Sequence, residues 1–474
     1  MKRTRGPRAS TKGATKPERA PAALARARFP AEVLELLQTL GRAGHRSWLV
    51  GGAVRDVLLR RRRPGADFDV ATPATPRAVM ALFRKVIPTG LDHGTVTVIA
   101  GGSHIEVTTF RGEGEYRDGR RPSSVTFLTD IDGDLARRDF TMNAMAYDPL
   151  ARELRDPFRG RDDLARKVIR AVGDPVQRFA EDGLRPLRAV RFAAQLGFAL
   201  ERGTERAIPG SLTVTEKVSA ERICEEISRL LLAPHATRAI ALMERTGLLA
   251  LIFPGIGTLD RPLRLHAFRT VAAAAPRRRD AGGVSALALR LAALLHSLAA
   301  VEPPELVSRG LRDALVRLRF PTQVADDAAA IVREHGCFLS LSRRPPPDDD
   351  AGTRRWLSRV GPRHAAAVLD MGAADARALP ARHARSASAE LRRRRARISR
   401  VLRANPPLAS GDLAIDGGRV MSLLGIAPGR AVGEALRHLL DRVLEDPSLN
   451  TPAALESEIV AWWSARAASA GTAS

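Results

Sequence analysis

The sequence predicts an α+β protein: a small head built on a mixed/antiparallel sheet, followed by three all-α segments. Two observations carry that prediction. Between residue 48 and about residue 147, apolar runs of strand length alternate with helical patterns, and beyond about residue 160 the strand signals stop while Ala, Leu and Arg recur at helical spacing. Breaks rich in Pro and Gly then divide the helical part into pieces.

The elements follow in order. Residues 1–28 carry nine Lys/Arg against the single Glu18, with Pro, Gly, Ser and Thr between them, which reads as a disordered basic arm. After Pro30, Val33, Leu36, Leu37 and Leu40 share one helix face, and the helix closes at the stretch from Gly41 to Gly44. Strands are expected at 48–50, 68–71, 95–100 and 105–110, and helices at 54–61 and 77–85. The run Arg343-Arg344-Pro345-Pro346-Pro347-Asp348-Asp349-Asp350 and the run Asn405-Pro406-Pro407 read as surface linkers, and small residues beyond about Ser464 read as a frayed end.

At 474 residues and 45% hydrophobic content the chain can form several units, each with its own core. Seventy-six Lys+Arg against 52 Asp+Glu leave a net charge of +24, which points to a polyanion, nucleic acid before an anionic membrane surface. An Arg-biased genome accounts for part of that excess. Cys224 and Cys337 stand alone and in no metal-binding spacing, so they argue against a disulfide framework or zinc site and fit a reducing cytoplasm. No apolar run approaches the roughly 20 residues that span a bilayer, and no export signal is legible.

The chemistry starts at Ala66-Asp67-Phe68-Asp69-Val70. In a strand, residues i and i+2 share a face, so both carboxylates point together and offer hard oxygen ligands suited to Mg²⁺. Taken alone, the same pattern is also an ordinary solvated strand end. Upstream, Gly51-Gly52 at a strand-to-helix turn allows backbone N–H groups close to phosphate, with Arg55 one turn on. Downstream, Glu106 alternates with Ile105 and is either a third carboxylate for the same metal or a surface residue.

These residues carry a resemblance. Leu49-Val50-Gly51-Gly52-Ala53-Val54-Arg55-Asp56 with Asp67-Phe68-Asp69 and Thr72 resembles the first motif of the class II tRNA nucleotidyltransferase and bacterial poly(A) polymerase family, within the polymerase β superfamily. Four further motifs follow in order: Arg137 to Ala144, Asp156 to Leu164, Glu181 to Arg188, and Ser219 to Ile223. The resemblance is nearest to bacterial CCA-adding enzymes. It implies a catalytic head at 29–155, a base-selecting helical neck at 156–235, a helical body at 236–344, a tRNA-binding tail at 351–464 and a frayed end at 465–474. It further implies Mg²⁺ on Asp67 and Asp69 with Glu106 in support, and nucleotide contacts at Gly51, Gly52, Arg55, Arg138, Asp139, Asp182, Arg185 and Arg188. The substrates would be the tRNA 3′ end, CTP and ATP; the oligomeric state stays open.

Asp182 and Arg185 are implied to read the base. At i and i+3 both are expected on one helix face, where an acceptor-only carboxylate sits beside a donor-only guanidinium. Cytosine and adenine both present an exocyclic amine next to a ring-nitrogen acceptor, whereas uracil and guanine place a carbonyl where Asp182 needs a donor. Gly183 and Pro186 interrupt that helix unless Pro186 falls in its first turn.

The polar stretch from Phe110 to Pro122, with Tyr116, Arg120 and Arg121, resembles the flexible loop of enzymes that add the terminal A. Leu413 to Gly418 and Leu424 to Gly433 resemble the tail of CCA-adding enzymes, and Arg392 to Arg395 with Arg397 and Arg400 offer a phosphate-binding face or a solvated helix. Some relatives carry a metal-dependent phosphohydrolase body marked by adjacent His and Asp. Here His296 is followed by Ser297, so the body is expected to lack that metal site and His296 to sit beside the core. An A-adding enzyme, a poly(A) polymerase and a non-catalytic RNA-binding protein are the alternatives.

Overall fold

The computed structural model describes residues 17–61, 68–112, 126–274, 283–335 and 348–471. Asp67, the loop residues Tyr116, Arg120, Arg121 and Pro122, Cys337, the stretch Arg343 to Pro347 and the first 16 residues lie outside them. The chain divides into two units, Met1–Ile252 and Phe253–Ser474.

The first unit is built on one eight-stranded sheet. Its strands are β1 (Glu18–Arg19), β2 (Trp48–Val50), β3 (Phe68–Thr72), β4 (Val86–Gly90), β5 (Thr95–Ala100) and β6 (Ser103–Thr109). After a separate antiparallel pair, β7 (Arg111–Gly112) and β8 (Thr126–Phe127), β9 (Ala146–Asp148) and β10 (Glu153–Arg155) complete it. The order is β1-β10-β9-β2-β3-β6-β5-β4. Only the β3–β6 pair within this sheet is parallel, so the sheet is mixed. One face carries Trp48, Val50 and Ala71, which pack with Phe110, Ile131, Leu135 and Ala146. On the other, Phe29 meets both Phe68 and Tyr147 edge-on or tilted, and the helix Ala31–Arg42 buries the expected Val33, Leu36, Leu37 and Leu40.

Residues 17–28 correct the expectation of a disordered arm. Glu18 and Arg19 pair with β10, Leu24 is fully buried, and the Tyr147 hydroxyl donates to the Leu24 carbonyl at 3.3 Å. Basic composition hid one apolar anchor. Strands β4, β9 and β10 also escaped the alternation pattern; β9 is buried at all three positions, so it shows no period of two. The expected helix at 77–85 stops at Leu82, started by a Thr75 cap and Pro76.

From residue 160 to Thr246 the unit is helical apart from a two-residue parallel ladder, β11 (Val168–Ile169) with β12 (Ala199–Leu200), in a region where no strand was expected. The helices Arg185–Leu196 and Ala220–Leu231 each bury a continuous side.

The second unit is helical throughout its described residues. Its first helices bury Leu291, Leu294, Leu315, Ile331 and Val332. Toward the C-terminus, the helices Gly417–Leu424, Arg430–Glu445 and Pro452–Gly471 enclose a core of Val420, Leu439, Val443, Leu455 and Ile459. The last helix runs past Ser464, the expected start of fraying, and Arg466 pairs with Glu434 at 2.7 Å.

Candidate active site

Gly51 is where the site converges. It links β2 to the helix Gly52–Leu58 with φ +70° and ψ −130°, backbone that a side chain disfavours. A Cβ there would stand 3.1 Å from Arg138 Nη1 and 3.4 Å from Asp69 Oδ2. A residue of the first motif, its second aspartate and an arginine of the second motif therefore meet at one point.

Asp69 is half-buried on β3, and β3 runs parallel to β6 with Asp69 directly opposite Glu106. Residues opposite each other in a ladder project to the same side, so both carboxylates face one way, Glu106 exposed. Oxygen-only donors in this arrangement suit a hard divalent cation. Arg138 reaches the fully buried Asp134 at 3.1 Å, while its own Nε is buried with no hydrogen-bond partner. Burial opposes ionisation of Asp134, yet Arg138 and Arg137 hold its carboxyl below the ordinary range. A guanidinium fixed at one end, with a donor to spare at the other, is equipped to receive an anionic oxygen.

Arg55 is placed differently from a free phosphate ligand. It is buried, donates through Nε to Asp56 at 2.9 Å and through Nη1 to Asn143 at 2.7 Å. Asn143 passes the connection on, donating to Asp139 Oδ1 at 3.1 Å, and Asp139 Oδ2 receives Arg188 at 2.7–2.8 Å. Arg188 lies near Glu226, which Arg191 grips at 2.5 Å. Burial raises the pKa of Asp139, but Arg188, Asn143 and Arg185 outweigh it and bring the carboxyl down to about 2. The ring of Phe192 lies under the guanidinium groups of Arg55, Arg188 and Arg191, at 5.2, 5.6 and 4.0 Å from its centroid. One network thus joins the first, second and fourth motifs and reaches Glu226 on the helix Ala220–Leu231, which begins within the fifth.

Asp182 and Arg185 do not share a helix face. The helix Pro175–Glu181 ends before Asp182, which is extended (φ −144°, ψ 108°), and the next helix starts at Arg185 with Pro186 in its first turn. Only glycine fits at the break: a Cβ on Gly183 would fall 2.4 Å from the Val214 carbonyl oxygen, and the Gly183 carbonyl accepts from Thr215 Oγ1 at 2.9 Å. Asp182 nevertheless faces a fixed partner, accepting from the Leu184 N–H at 3.0 Å and from Arg222 Nη2 at 2.8 Å. Arg185 is buried and anchored by Glu181, by the Arg178 carbonyl at 2.8 Å and by the Arg137 carbonyl at 3.0 Å. Arg222, Asn143 and Glu181 sat inside quoted motifs without assigned roles; the partners of Arg222 and Asn143 lie 40 and 88 residues away, beyond reach of spacing arguments, whereas the i+4 spacing of Glu181 and Arg185 was legible.

Comparisons with known proteins fit this arrangement. Residues 47–170 match the family model described as "Poly A polymerase head domain", and residues 197–259 match that described as "Probable RNA and SrmB- binding site of polymerase A". The chain is 39% identical over 405 residues to the CCA-adding enzyme of Geobacillus stearothermophilus, covering 85% of this chain and 90% of that one. To the CCA-adding enzyme of Lactobacillus helveticus it is 35% identical over 429 residues, 90% and 95% of the two chains. Among solved structures, the Bacillus stearothermophilus CCA-adding enzyme in complex with CTP superposes with a TM-score of 0.70 at 34% identity, covering 92% of this chain and 98% of that one. A Thermotoga maritima CCA-adding enzyme complexed with tRNA shares the fold at a TM-score of 0.57 and 18% identity. No helix among the described residues is long and apolar enough to cross a membrane. With such identity along nearly its whole length, the chain belongs to the CCA-adding enzyme family of nucleotidyltransferases.

Proposed function

We propose that this protein completes tRNA 3′ ends by adding C, C and A from CTP and ATP without a nucleic-acid template. The observation that carries this reading is the 39% identity along 405 residues to an enzyme described as CCA-adding, coupled with Asp69, Arg138 and Gly51 meeting at one point. In each cycle the terminal 3′-oxygen forms a bond to the α-phosphorus, the bond to the bridging oxygen breaks, and pyrophosphate leaves with its charge.

Asp67 and Asp69, supported by Glu106, would hold Mg²⁺, which when bound lowers the cost of deprotonating the 3′-hydroxyl and of the charge on the leaving group. The oxygen-only donor set and the narrow cradle at Gly51 fit that ion. Around it, Gly51 and Gly52 bring backbone close to the triphosphate, and Arg138 offers its unused donor to a phosphate oxygen. Arg55 acts from behind, holding Asn143, which with Arg188 fixes Asp139 toward the sugar. Asp182 accepts from the exocyclic amine of cytosine or adenine while Arg185 donates to the adjacent ring nitrogen. Both are held in advance, so little side-chain freedom is lost on binding. The segments 29–155, 156–235, 236–344 and 351–464 would divide catalysis, base choice, support and tRNA grip; within the last, Gly425 to Gly429 leads into the helix Arg430–Glu445, whose first N–H groups suit an RNA backbone. Cytoplasmic work on tRNA accords with a free, buried Cys224.

The test offers three tRNAs, ending before CCA, at C and at CC, with CTP, ATP or both. CCA addition predicts extension of all three to the same end. Extension of the CC-ended tRNA alone would convert the reading to A addition, and long A tails on unstructured RNA to polyadenylation. Asp69→Ala should abolish every extension.

A further inference from the structure

The second unit contains a polar cluster that nucleotidyl transfer does not use. Four helical segments each bring one group to a common point in its core: His266 from Arg261–Ala273, His296 at the end of Ala286–Leu295, His335 closing Thr322–His335, and Asp375 from Pro362–Ala378. His296, His335 and Asp375 are 5%, 5% and 1% exposed. Asp375 is the hub. Its Oδ1 faces His266 Nε2 in hydrogen-bond contact and His296 Nε2 at 3.9 Å, and its Oδ2 faces His335 Nε2 at 3.0 Å. The ring of His296 stands 5.3 Å from that of His266 and 5.0 Å from that of His335. The expectation of a body without the phosphohydrolase metal site rested on Ser297, the neighbour of His296 in sequence; packing brings the other groups to His296.

Hydrogen bonding inside the cluster is incomplete in an informative way. His296 Nδ1 lies 2.9 Å from the Ala293 carbonyl, which can only accept, so Nδ1 carries the proton and a neutral ring turns its Nε2 lone pair toward a carboxylate that also only accepts. Ser297 Oγ, at 3.4 Å, is too long to settle that confrontation. His335 Nδ1 is buried with no hydrogen-bond partner. Buried acceptors facing one another call for a cation between them. An Nδ1–H bonded to a backbone carbonyl is also how metal-ligating histidines are oriented.

We propose that His266, His296, His335 and Asp375 form a binding site for a divalent transition-metal ion of the zinc class, separate from the oxygen-ligand site of the first unit. Ligand atoms of His266, His296 and Asp375 already lie within 4.8 Å of one another. Bonds of about 2.0–2.1 Å in a tetrahedron place ligand atoms roughly 3.4 Å apart, so small side-chain movements close the site. Imidazole-rich sets select zinc-like ions over Mg²⁺, which prefers oxygen and keeps its waters.

The experiment uses the tag-free, full-length protein, dialysed against chelator and then equilibrated with limiting Zn²⁺ in excess Mg²⁺. The expected result is about one Zn²⁺ per chain by plasma emission, with a zinc K-edge absorption spectrum showing imidazole scattering. His296→Gln and Asp375→Asn should weaken binding by at least ~100-fold, while Asp69→Asn leaves it intact. Stoichiometry near zero, a K-edge spectrum without imidazole, or full binding by a folded His296→Gln would each overturn the proposal. Should the variants fail to fold, the K-edge spectrum of the native protein decides between metal site and hydrogen-bonded cluster.

Discussion

Arg222 gives Asp182 its direction. The carboxylate stands outside any helix, and its orientation depends on the 2.8 Å contact with Arg222 and on the Leu184 N–H. Replacing Arg222 by Gln removes the charged donor from one Asp182 oxygen and frees the carboxylate to rotate. Because the pair is partly exposed, folding stability should change by less than about 1 kcal/mol. The effect falls on choice instead: kcat/KM for CTP and ATP should drop about tenfold, and UTP incorporation should rise relative to CTP. Single-nucleotide extension assays measure both, and unchanged discrimination would remove Arg222 from base selection. Asp139 makes a second prediction at this scale, through pH. Its folded pKa of about 2 lies below the ordinary 3.8, so between those values the unfolded chain binds more protons than the folded one. Stability from Asp139 is therefore complete above about pH 4 and lost as pH falls toward 2. The shift corresponds to about 2 kcal/mol. Urea unfolding of Asp139→Asn should show a cost of that order at pH 7 that shrinks at pH 3; a cost independent of pH would mean Arg188 and Asn143 act through packing alone.

Among the elements, the junction between Pro175–Glu181 and Arg185–Leu196 separates two substitutions that look similar on paper. Gly183→Ala drives a Cβ to 2.4 Å from backbone that cannot swing away, and should cost about 3 kcal/mol or more while displacing both Asp182 and Arg185. Pro186→Ala leaves the helix start intact, since its first turn needs no N–H from that position, and should cost about 1–2 kcal/mol of lost buried surface with nucleotide choice unchanged. Thermal unfolding together with CTP-against-UTP discrimination checks the pair; equal loss of discrimination in both would refute the steric account. The same junction shows what a sequence can convey. Asp182 and Arg185 were singled out through the family resemblance, whereas Pro186 in a first turn follows from local propensity. Their placement on one face was not correct: the chain leaves the helix at Asp182, and the close approach of Val214 to Gly183, about thirty residues apart, is not legible from spacing. Likewise the pairing of Asp69 with Glu106 depends on a parallel register that alternation within one strand cannot reveal, and β9 was invisible because a strand buried on both sides carries no alternation.

For the whole molecule, the net charge of +24 overstates the grip on RNA. Many arginines are spent internally: Arg55, Arg185, Arg188 and Arg191 build the network of the first unit, and on the helix Ala381–Arg403, Arg393 and Arg394 hold Glu390 while Arg395 holds Asp370 and Arg400 holds Asp350. Composition could not separate structural cations from those left for phosphate, just as it could not foresee histidines 40 to 109 residues from Asp375 gathering around it in one core. The remaining cations should still neutralise about four or five tRNA phosphates. Counterion release then makes the binding constant fall about 10²–10³-fold between 50 and 200 mM salt. Filter binding of tRNA ending before CCA, across that range, measures the slope. Asp69→Asn should bind tRNA with the same slope while adding no nucleotide, because in the role proposed for it the carboxylate serves the triphosphate rather than the tRNA body. A slope near zero would mean the charge excess is compositional and that shape and hydrogen bonding hold the tRNA; a slope altered by Asp69→Asn would instead place the 3′ end of the tRNA, and its terminal phosphates, against the metal-holding carboxylates even before nucleotide arrives.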